Sequence, residues 1–338
     1  MTTRRRPRLP PTGDNSSTGD TNSGAVSRPW SSSAPVSPPV AQSSASARST
    51  VGSGVLPAQA HLTDRDRLIA DWLDRHGVLT TAQITTAFFG SPVTAAHRLA
   101  KLRALGLVDR FHRPLPGGGF GPWHWVIGPL GAEITAAALD EAPPTAPALR
   151  RRHARLADSS HLAHLLGTNQ FFIDLHAHAR RSEGGAQLLL WWSERDCAKR
   201  FQGPIRADGH ALWHEAGTTM GLFLEYDTAG AENLARLVEK LGAYDELASG
   251  DGPAYPVLFW LHAVDRETHL HQMLADRGPG LVPVATGVHT PAADPAGRVW
   301  RLAGDPRPGR RCLVELPSRH GGPDIVYNPH YDSLGLAE

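Results

Sequence analysis

Several features that mark common protein classes are scarce or missing from this chain of 338 residues. No apolar run reaches the roughly 18 residues of a membrane-spanning helix, so no transmembrane segment is expected. The two cysteines, Cys197 and Cys312, lack CxxC spacing. This excludes a disulfide framework and a cysteine-based zinc site, and it fits a reducing cytoplasm. No phosphate-binding loop ending in Gly-Lys-Ser/Thr and no GxSxG elbow is present, which excludes a P-loop ATPase and a serine hydrolase of that type.

Excess positive charge is also small, since 34 Lys and Arg residues stand against 33 Asp and Glu residues and the formal net charge is +1. Any surface that binds nucleic acid must therefore be local rather than spread over the whole chain. One local cluster opens the sequence and consists of Arg4, Arg5, Arg6 and Arg8. These arginines either attract phosphates loosely or keep the terminus soluble.

Residues 1–60 differ in composition from the rest of the chain. They are rich in Ser, Pro, Thr and Ala and contain one aromatic residue, Trp30. Such a segment cannot bury enough apolar surface to offset the entropy lost on ordering, and it lacks the apolar core of a secretory signal. We therefore expect a disordered tail over 1–60.

Regular structure is expected to begin near residue 61. Thr63 is suited to cap a first helix that ends at Gly77, because threonine accepts backbone hydrogen bonds at a helix start and glycine tolerates the conformation at its end. Thr80 or Thr81 is suited to cap a short second helix. The sequence thus predicts two helices before residue 90.

A third helix is predicted over 92–105 and has two different faces. It starts at a proline, which suits the first helical turn. The inward stripe is apolar and consists of Ala95, Leu99, Leu102 and Leu105. The opposite face is polar and carries Thr94, His97, Arg98 and Lys101. This face offers hydrogen-bonding groups for base edges and cations for phosphates, as a recognition helix in the major groove requires.

A β-hairpin is predicted after the third helix. Its strands lie at 106–113 and 123–127 and are joined by a glycine-rich tip. The first strand carries Arg110, His112 and Arg113, which we expect to meet the DNA backbone or the minor groove. A last helix is predicted over 130–139.

The segments LTTAQI, AAHRLAKLRALGLVDR and WVIGPLGAEI, in this order, resemble the winged helix-turn-helix superfamily. The resemblance predicts a domain at 61–140 and implies binding of double-stranded DNA, with the hairpin as the wing. An alternative is a winged helix that binds protein. The cations on one side favour DNA; they are Arg98, Lys101, Arg110 and Arg113.

A segment rich in proline and arginine, 141–155, is predicted to link this domain to a second one at 156–275. Helical and strand patterns in the second domain follow the order α, β, β, β, α, β, α. Residues 276–338 are predicted to form a partly irregular extension, with short strands at 298–302 and 312–316 and a loop between them. The expected fold class is α+β, with an N-terminal winged helix-turn-helix domain and a C-terminal α/β domain.

Acidic residues flank two of the predicted strands. Asp208 opens one strand, and Glu225 and Asp227 end the next. This arrangement resembles the core of PD-(D/E)XK nucleases, in which such acids hold Mg²⁺ and a lysine orients the attacking water. If a metal binds, the resemblance implies Asp208, Glu225, Asp227 and Glu194 as its ligands. Asp227 stands where the lysine is expected, and Lys240 on the next helix is the candidate replacement.

The order of all these segments, together with FLEYDTAGAENLARLVEKLGAY, resembles the replication-relaxation family over residues 61–275. The resemblance implies a cytoplasmic bacterial protein of plasmids or other mobile elements. Three functions stay open: a DNA-binding accessory protein of replication or mobilisation on an inactive nuclease-like scaffold, a Mg²⁺-dependent DNA nickase or nuclease, and a winged-helix transcriptional regulator. Only the second requires a metal cofactor. The expected partners are double-stranded DNA and plasmid replication or mobilisation proteins. Binding to a membrane is not expected.

Overall fold

The computed structural model describes residues 61–115, 117–201, 205–228, 234–250, 252–307 and 309–320. The predicted tail over 1–60 and its arginine cluster lie outside these residues, as does the end of the predicted extension. The described residues combine helices with two β-sheets, which confirms the α+β fold class. None of their helices is long and apolar enough to cross a membrane.

The N-terminal module, residues 61–140, begins with three helices and one short strand. Thr63 and Thr80 each cap a helix through reciprocal hydrogen bonds with the third residue of that helix, as the cap predictions required. Gly77 ends the first helix with a φ of 80°, a conformation that costs glycine little. These elements are α1 (Asp64–His76), β1 (Leu79–Thr80), α2 (Thr81–Phe88) and α3 (Pro92–Ala104).

A three-stranded antiparallel sheet and a fourth helix complete this module. The strand in the centre of the sheet is the last of the three in the chain, and it pairs with both of the others. Ala95, Leu99 and Leu102 are fully buried as predicted, whereas Leu105 follows the end of α3 and is 40% exposed, so its predicted burial is wrong. The added elements are β2 (Val108–Phe111), β3 (His124–Ile127) and α4 (Pro129–Ala138).

The segment predicted as a linker contains a helix, α5 (Ala146–Asp158). Thr145 caps it, and Pro147 lies in its first turn, where a missing backbone N–H costs nothing. Arg152 of this helix pairs with Asp74 of α1 at 2.7 Å. Pro147 of this segment thus lies at a helix start, and the role of the segment as a linker stays a prediction.

The α/β module, residues 156–320, is built around a six-stranded sheet whose strands lie side by side in the order in which they occur in the chain. The first three strands are antiparallel, the third, fourth and fifth are parallel, and the sixth is antiparallel to the fifth. The helices and strands predicted for 156–275 are present in the predicted order, with one additional short helix, and an unpredicted strand lies at 284–288. The elements are α6 (Leu162–Arg181), β4 (Ala186–Ser193), α7 (Glu194–Arg200), β5 (Gly209–Glu215), β6 (Thr218–Tyr226), α8 (Leu234–Ser249), β7 (Val257–Leu261), α9 (Val264–Arg277), β8 (Val284–Val288) and β9 (Arg301–Leu302).

The C-terminal extension packs back on this sheet. The strand predicted at 298–302 is shorter, and the strand predicted at 312–316 is instead a 3-10 helix, Leu313–Glu315. Between them, Arg310 forms two hydrogen bonds, 2.6 and 2.9 Å long, with the buried Glu267 carboxylate. Arg311 binds Asp305. These two loop arginines therefore hold the extension in place.

One hydrophobic core runs through both modules. Trp191 of β4 contacts Trp72 of α1 edge to face at 5.0 Å, and the ring of His76 stacks on it at 3.5 Å. The buried Asn169 side chain of α6 donates to the backbone oxygens of His76 and Val78 at 3.2 and 2.9 Å. The sequence boundary at 141–155 thus does not separate the two modules in the core.

Candidate functional site

Three of the predicted DNA contacts share one exposed surface on α3. Thr94, His97 and Lys101 are exposed and follow one another at helical spacing, so they lie on the face opposite the buried stripe. They line a shallow depression of about 400 Å³ together with Val93, which is 67% exposed. The side chains are therefore available to a ligand without any rearrangement of the core.

Arg98 lies beside this surface but has a structural role. Its guanidinium grips the Asp66 carboxylate with two nitrogens, one of them at 2.9 Å from Oδ1. The Asp66 side chain is completely buried. Burial raises the pKa of Asp66, but hydrogen bonds from Arg98 and Thr63 outweigh burial and hold this pKa below its usual value. Arg98 is thus engaged within the fold, and its contact with DNA stays a prediction.

The predicted contacts of the hairpin are also engaged within the chain. The Arg110 guanidinium lies 3.7 Å from the centre of the Trp123 ring. His112 stacks between Trp123 and Phe120. Arg113 donates to the backbone oxygen of Ser159, at the end of α5, over 3.3 Å. These contacts hold the three side chains in place. Of the predicted DNA contacts, the exposed ones on α3 therefore make the fewest contacts within the protein.

The carboxylates of Asp208 and Glu225 come from neighbouring antiparallel strands. Gly209 pairs with Leu224 in this register, which brings the residue before β5 beside the end of β6. A Cβ atom at Gly209 would lie 2.4 Å from the Phe172 ring, so this position requires glycine. Asp208 accepts a hydrogen bond from the backbone N–H of Tyr226 at 2.7 Å and lies 3.0 Å from His164 Nε2.

Glu225 is buried and has two partners on α8. Lys240 Nζ donates to its Oε2 at 2.7 Å, and the Tyr244 hydroxyl donates to its Oε1 at 2.6 Å. Burial, and next the nearby Asp208 charge, raise the pKa of Glu225 to about 7, although Lys240 and Tyr244 act in the opposite direction. The structure thus brings together Asp208, Glu225 and Lys240, as the resemblance implied. Tyr244 was missed, although it lies four residues after Lys240 on the same helix face.

The side chain of Asp227 contacts a different set of residues, at the end of β7 and on α9. Arg266 of α9 grips both of its oxygens, at 2.6 and 2.9 Å, and His262 Nδ1 lies 2.7 Å from Oδ2. The Asp227 side chain is 1% exposed. Its charge is therefore balanced inside the protein, and its predicted role as a metal ligand or catalytic group is not supported. No local sequence pattern identifies Arg266 and His262 as its partners.

Glu194 is exposed at the start of α7 and lines a cavity of about 240 Å³ with Asp208 and His164. Each of the four oxygens of Asp208 and Glu225 already lies beside one hydrogen-bonding or ion-pair partner. In the part of the chain that is described, no group of three or more His, Cys, Asp or Glu side chains is arranged to hold a metal. The four-residue ligand set that the nuclease resemblance implies is therefore not assembled in the described residues, since Asp227 is bound to Arg266 and His262 instead.

Comparison with known proteins gives a family but no close relative. No curated protein and no solved structure matches the chain. The family model described as replication-relaxation matches residues 71–257, which include most of the N-terminal module, α5, α6 and the carboxylate site. This match spans more than half of the 338 residues. The chain therefore belongs to the replication-relaxation family and has a role associated with replication or mobilisation.

Proposed function

We propose that this protein is a DNA-binding accessory factor of plasmid or mobile-element replication or mobilisation. The N-terminal module supports this proposal because its helices, hairpin and three-stranded sheet follow the order of a winged helix-turn-helix domain. In such a domain α3 is the recognition helix and the β2–β3 hairpin is the wing. The family membership supports the link to replication or mobilisation.

The exposed face of α3 carries the proposal. Thr94 and His97 offer hydrogen-bonding groups at the spacing of one helical turn, and Lys101 places a cation one turn further on. The opposite stripe of α3 is anchored in the core by Ala95, Leu99 and Leu102, all of which are fully buried. The helix is thus held rigidly with its polar face outward, which is the geometry that reading the major groove requires.

Lys101→Glu is expected to weaken binding to double-stranded DNA by about tenfold and to lower the salt dependence of binding by about one ion. The reason is that the variant removes one phosphate contact and places a negative charge on the proposed surface. Fluorescence anisotropy with a labelled duplex, titrated at several salt concentrations, measures both quantities.

Lys199→Glu is the matched control, because Lys199 is an exposed lysine of the α/β module and the change in net charge is the same. It should bind as the parent protein does. Thermal unfolding of both variants checks that neither has lost its fold. Equal affinity of Lys101→Glu and the parent protein would show that α3 is not the recognition surface.

For the α/β module we infer a nuclease-like scaffold that serves binding or assembly rather than hydrolysis. The strand order, with Asp208 and Glu225 side by side and Lys240 beside them, supports the resemblance to a PD-(D/E)XK core. The contacts of Asp227 argue against hydrolysis, since Arg266 neutralises the carboxylate that stands in the lysine position.

Supercoiled plasmid incubated with the protein is expected to shift in mobility but to stay closed, with Mg²⁺, with Mn²⁺ and with EDTA alike. The shift should weaken steeply as salt rises from about 50 to 200 mM, because counterions compete for the phosphates. An agarose gel reads both mobility and nicking. Open circles that form only with metal, and that are lost in Asp208→Ala, would instead make the protein a metal-dependent nickase.

A further inference from the structure

The wing carries a continuous stack of planar groups. At its inner end, the Arg110 guanidinium lies 3.7 Å from the Trp123 ring centre. The His112 ring follows, 4.4 Å from Trp123 and inclined by 7°. The Phe120 ring comes next, 3.8 Å from His112 and inclined by 5°. Four planar groups thus lie over one another at the spacings of aromatic stacking.

The outer end of this stack is open to solvent. Phe120 is 62% exposed and the neighbouring Leu115 is 50% exposed, although both are large apolar side chains. Burying them within the hairpin would have been favourable by the hydrophobic effect. Their exposure at the tip of a proposed DNA-binding wing marks a surface that is suited to an apolar, planar ligand.

Backbone hydrogen bonds hold the exposed ring in place. Gly121 N–H donates to Arg113 O at 2.9 Å, and Leu115 N–H donates to Gly119 O at 3.1 Å. Pro114 and Phe120 form an isolated antiparallel bridge between these two bonds. The ring is therefore presented by a closed tip rather than by a free chain end, which lowers the entropy cost of binding.

We propose that Phe120 is a stacking platform for an unpaired nucleobase, so that the wing binds DNA whose bases are locally bulged or melted. This inference rests on the proposed DNA binding and adds a second class of DNA ligand to it. A nucleobase fits because it is planar and aromatic and can extend the existing stack by one member. Arg113, whose backbone oxygen bonds to Gly121 at the tip, brings a positive charge close to the adjoining phosphates.

The proposal predicts a preference for distorted DNA. A base in an intact duplex must first leave its stack, which costs a few kcal/mol, whereas an unpaired base has already met that cost. The parent protein should therefore bind a duplex with one unpaired adenine more tightly than the fully paired duplex of the same sequence. Anisotropy with both labelled duplexes at one salt concentration measures the ratio of the two affinities.

Phe120→Ala is expected to weaken binding to the bulged duplex by roughly 5- to 150-fold, which corresponds to the loss of one base–aromatic stack. Binding to the paired duplex should change by less than about twofold, because α3 makes those contacts. Phe120→Trp should keep the preference, since it retains a planar ring. Phe120→Leu should lose it, which distinguishes stacking from simple apolar contact.

The outcomes separate this inference from the proposed function. Tight binding to both duplexes, with the same ratio in the parent protein and in Phe120→Ala, would overturn the stacking platform and leave the duplex-binding proposal intact. Binding to the bulged duplex alone, lost in Phe120→Ala, would support the platform and overturn the role of α3. Failure to bind either duplex at low salt would overturn both.

Discussion

Arg98→Ala is expected to lower the free energy of unfolding by about 3–5 kcal/mol, the usual effect of removing one partner from a buried ion pair. The Asp66 carboxylate is completely buried beside Arg98, so the variant would remove its counterion and leave it with the hydrogen bonds from Thr63. Asp66 also completes the capping box at the start of α1, so the damage would extend to that helix. Denaturation by urea, followed by circular dichroism, measures the change.

Arg103→Ala is the matched control on the same helix. Arg103 and Asp109 are both about half exposed and 3.3 Å apart, so this substitution should cost less than about 1 kcal/mol. Equal stability of the Arg98 and Arg103 variants would show that Asp66 does not depend on Arg98. DNA-binding experiments that alter Arg98 would therefore confuse loss of the fold with loss of contact, whereas Lys101 avoids this problem.

The same ion pair has a defined pH dependence. The pKa of Asp66 lies below its ordinary value of 3.8 in the folded protein, so the unfolded chain takes up the proton first as pH falls. The stabilisation from Asp66 is thus fully present above that ordinary value and is lost as pH falls through the lower, folded value. The difference in stability between the parent protein and Arg98→Ala should accordingly shrink in acid.

Trp191→Ala is expected to lower the free energy of unfolding by about 3–5 kcal/mol, because it leaves a large cavity in the shared core. Trp191 is 5% exposed and packs against Trp72, His76 and Phe172. Since these partners belong to both modules, the modules should unfold in one transition in the parent protein and in the variant. Circular dichroism and limited proteolysis, compared over a urea series, measure stability and cooperativity together.

Leu281→Ala serves as the control for this substitution, because Leu281 is an apolar side chain that is 52% exposed. It should change stability by less than about 0.5 kcal/mol, as most surface substitutions do. Two separate unfolding transitions in the parent protein would contradict the shared core. They would restore the predicted picture of two domains joined by a linker.

Local sequence patterns predicted many elements of this fold, but not α5, α7 and β8. The cap at Thr63, the helix end at Gly77 and the burial of Ala95, Leu99 and Leu102 on α3 are as predicted, because each depends on residues within one or two helical turns. The order of the strands between residues 186 and 261 was also predictable from apolar runs. The resemblance to the replication-relaxation family was based on this order of segments. The family match over 71–257 confirms the family.

Side-chain partners were much less predictable. Arg98 is a cation on the polar face of α3, so the sequence predicts a DNA contact. Its partner in the structure, Asp66, lies 32 residues away in sequence. Asp227 resembles a member of an acidic cluster, but its partner Arg266 lies 39 residues away. Arg98 reaches Asp66 because the fold places α3 beside α1, and Arg266 reaches Asp227 because it places α9 beside the end of β6. Neither contact follows from neighbouring residues in the sequence.

By itself the sequence determined the fold class and the caps and periodic faces of the helices. It also placed Asp208 and Glu225 at the ends of two neighbouring strands. Tertiary structure alone decided which charges stay available to a ligand. It assigned Arg98 to Asp66 and Arg266 to Asp227, and it left Lys101 and the ring of Phe120 exposed. The physical reason is that a helix or strand is specified by near neighbours, whereas a buried charge is stabilised by whichever opposite charge the packing brings within reach.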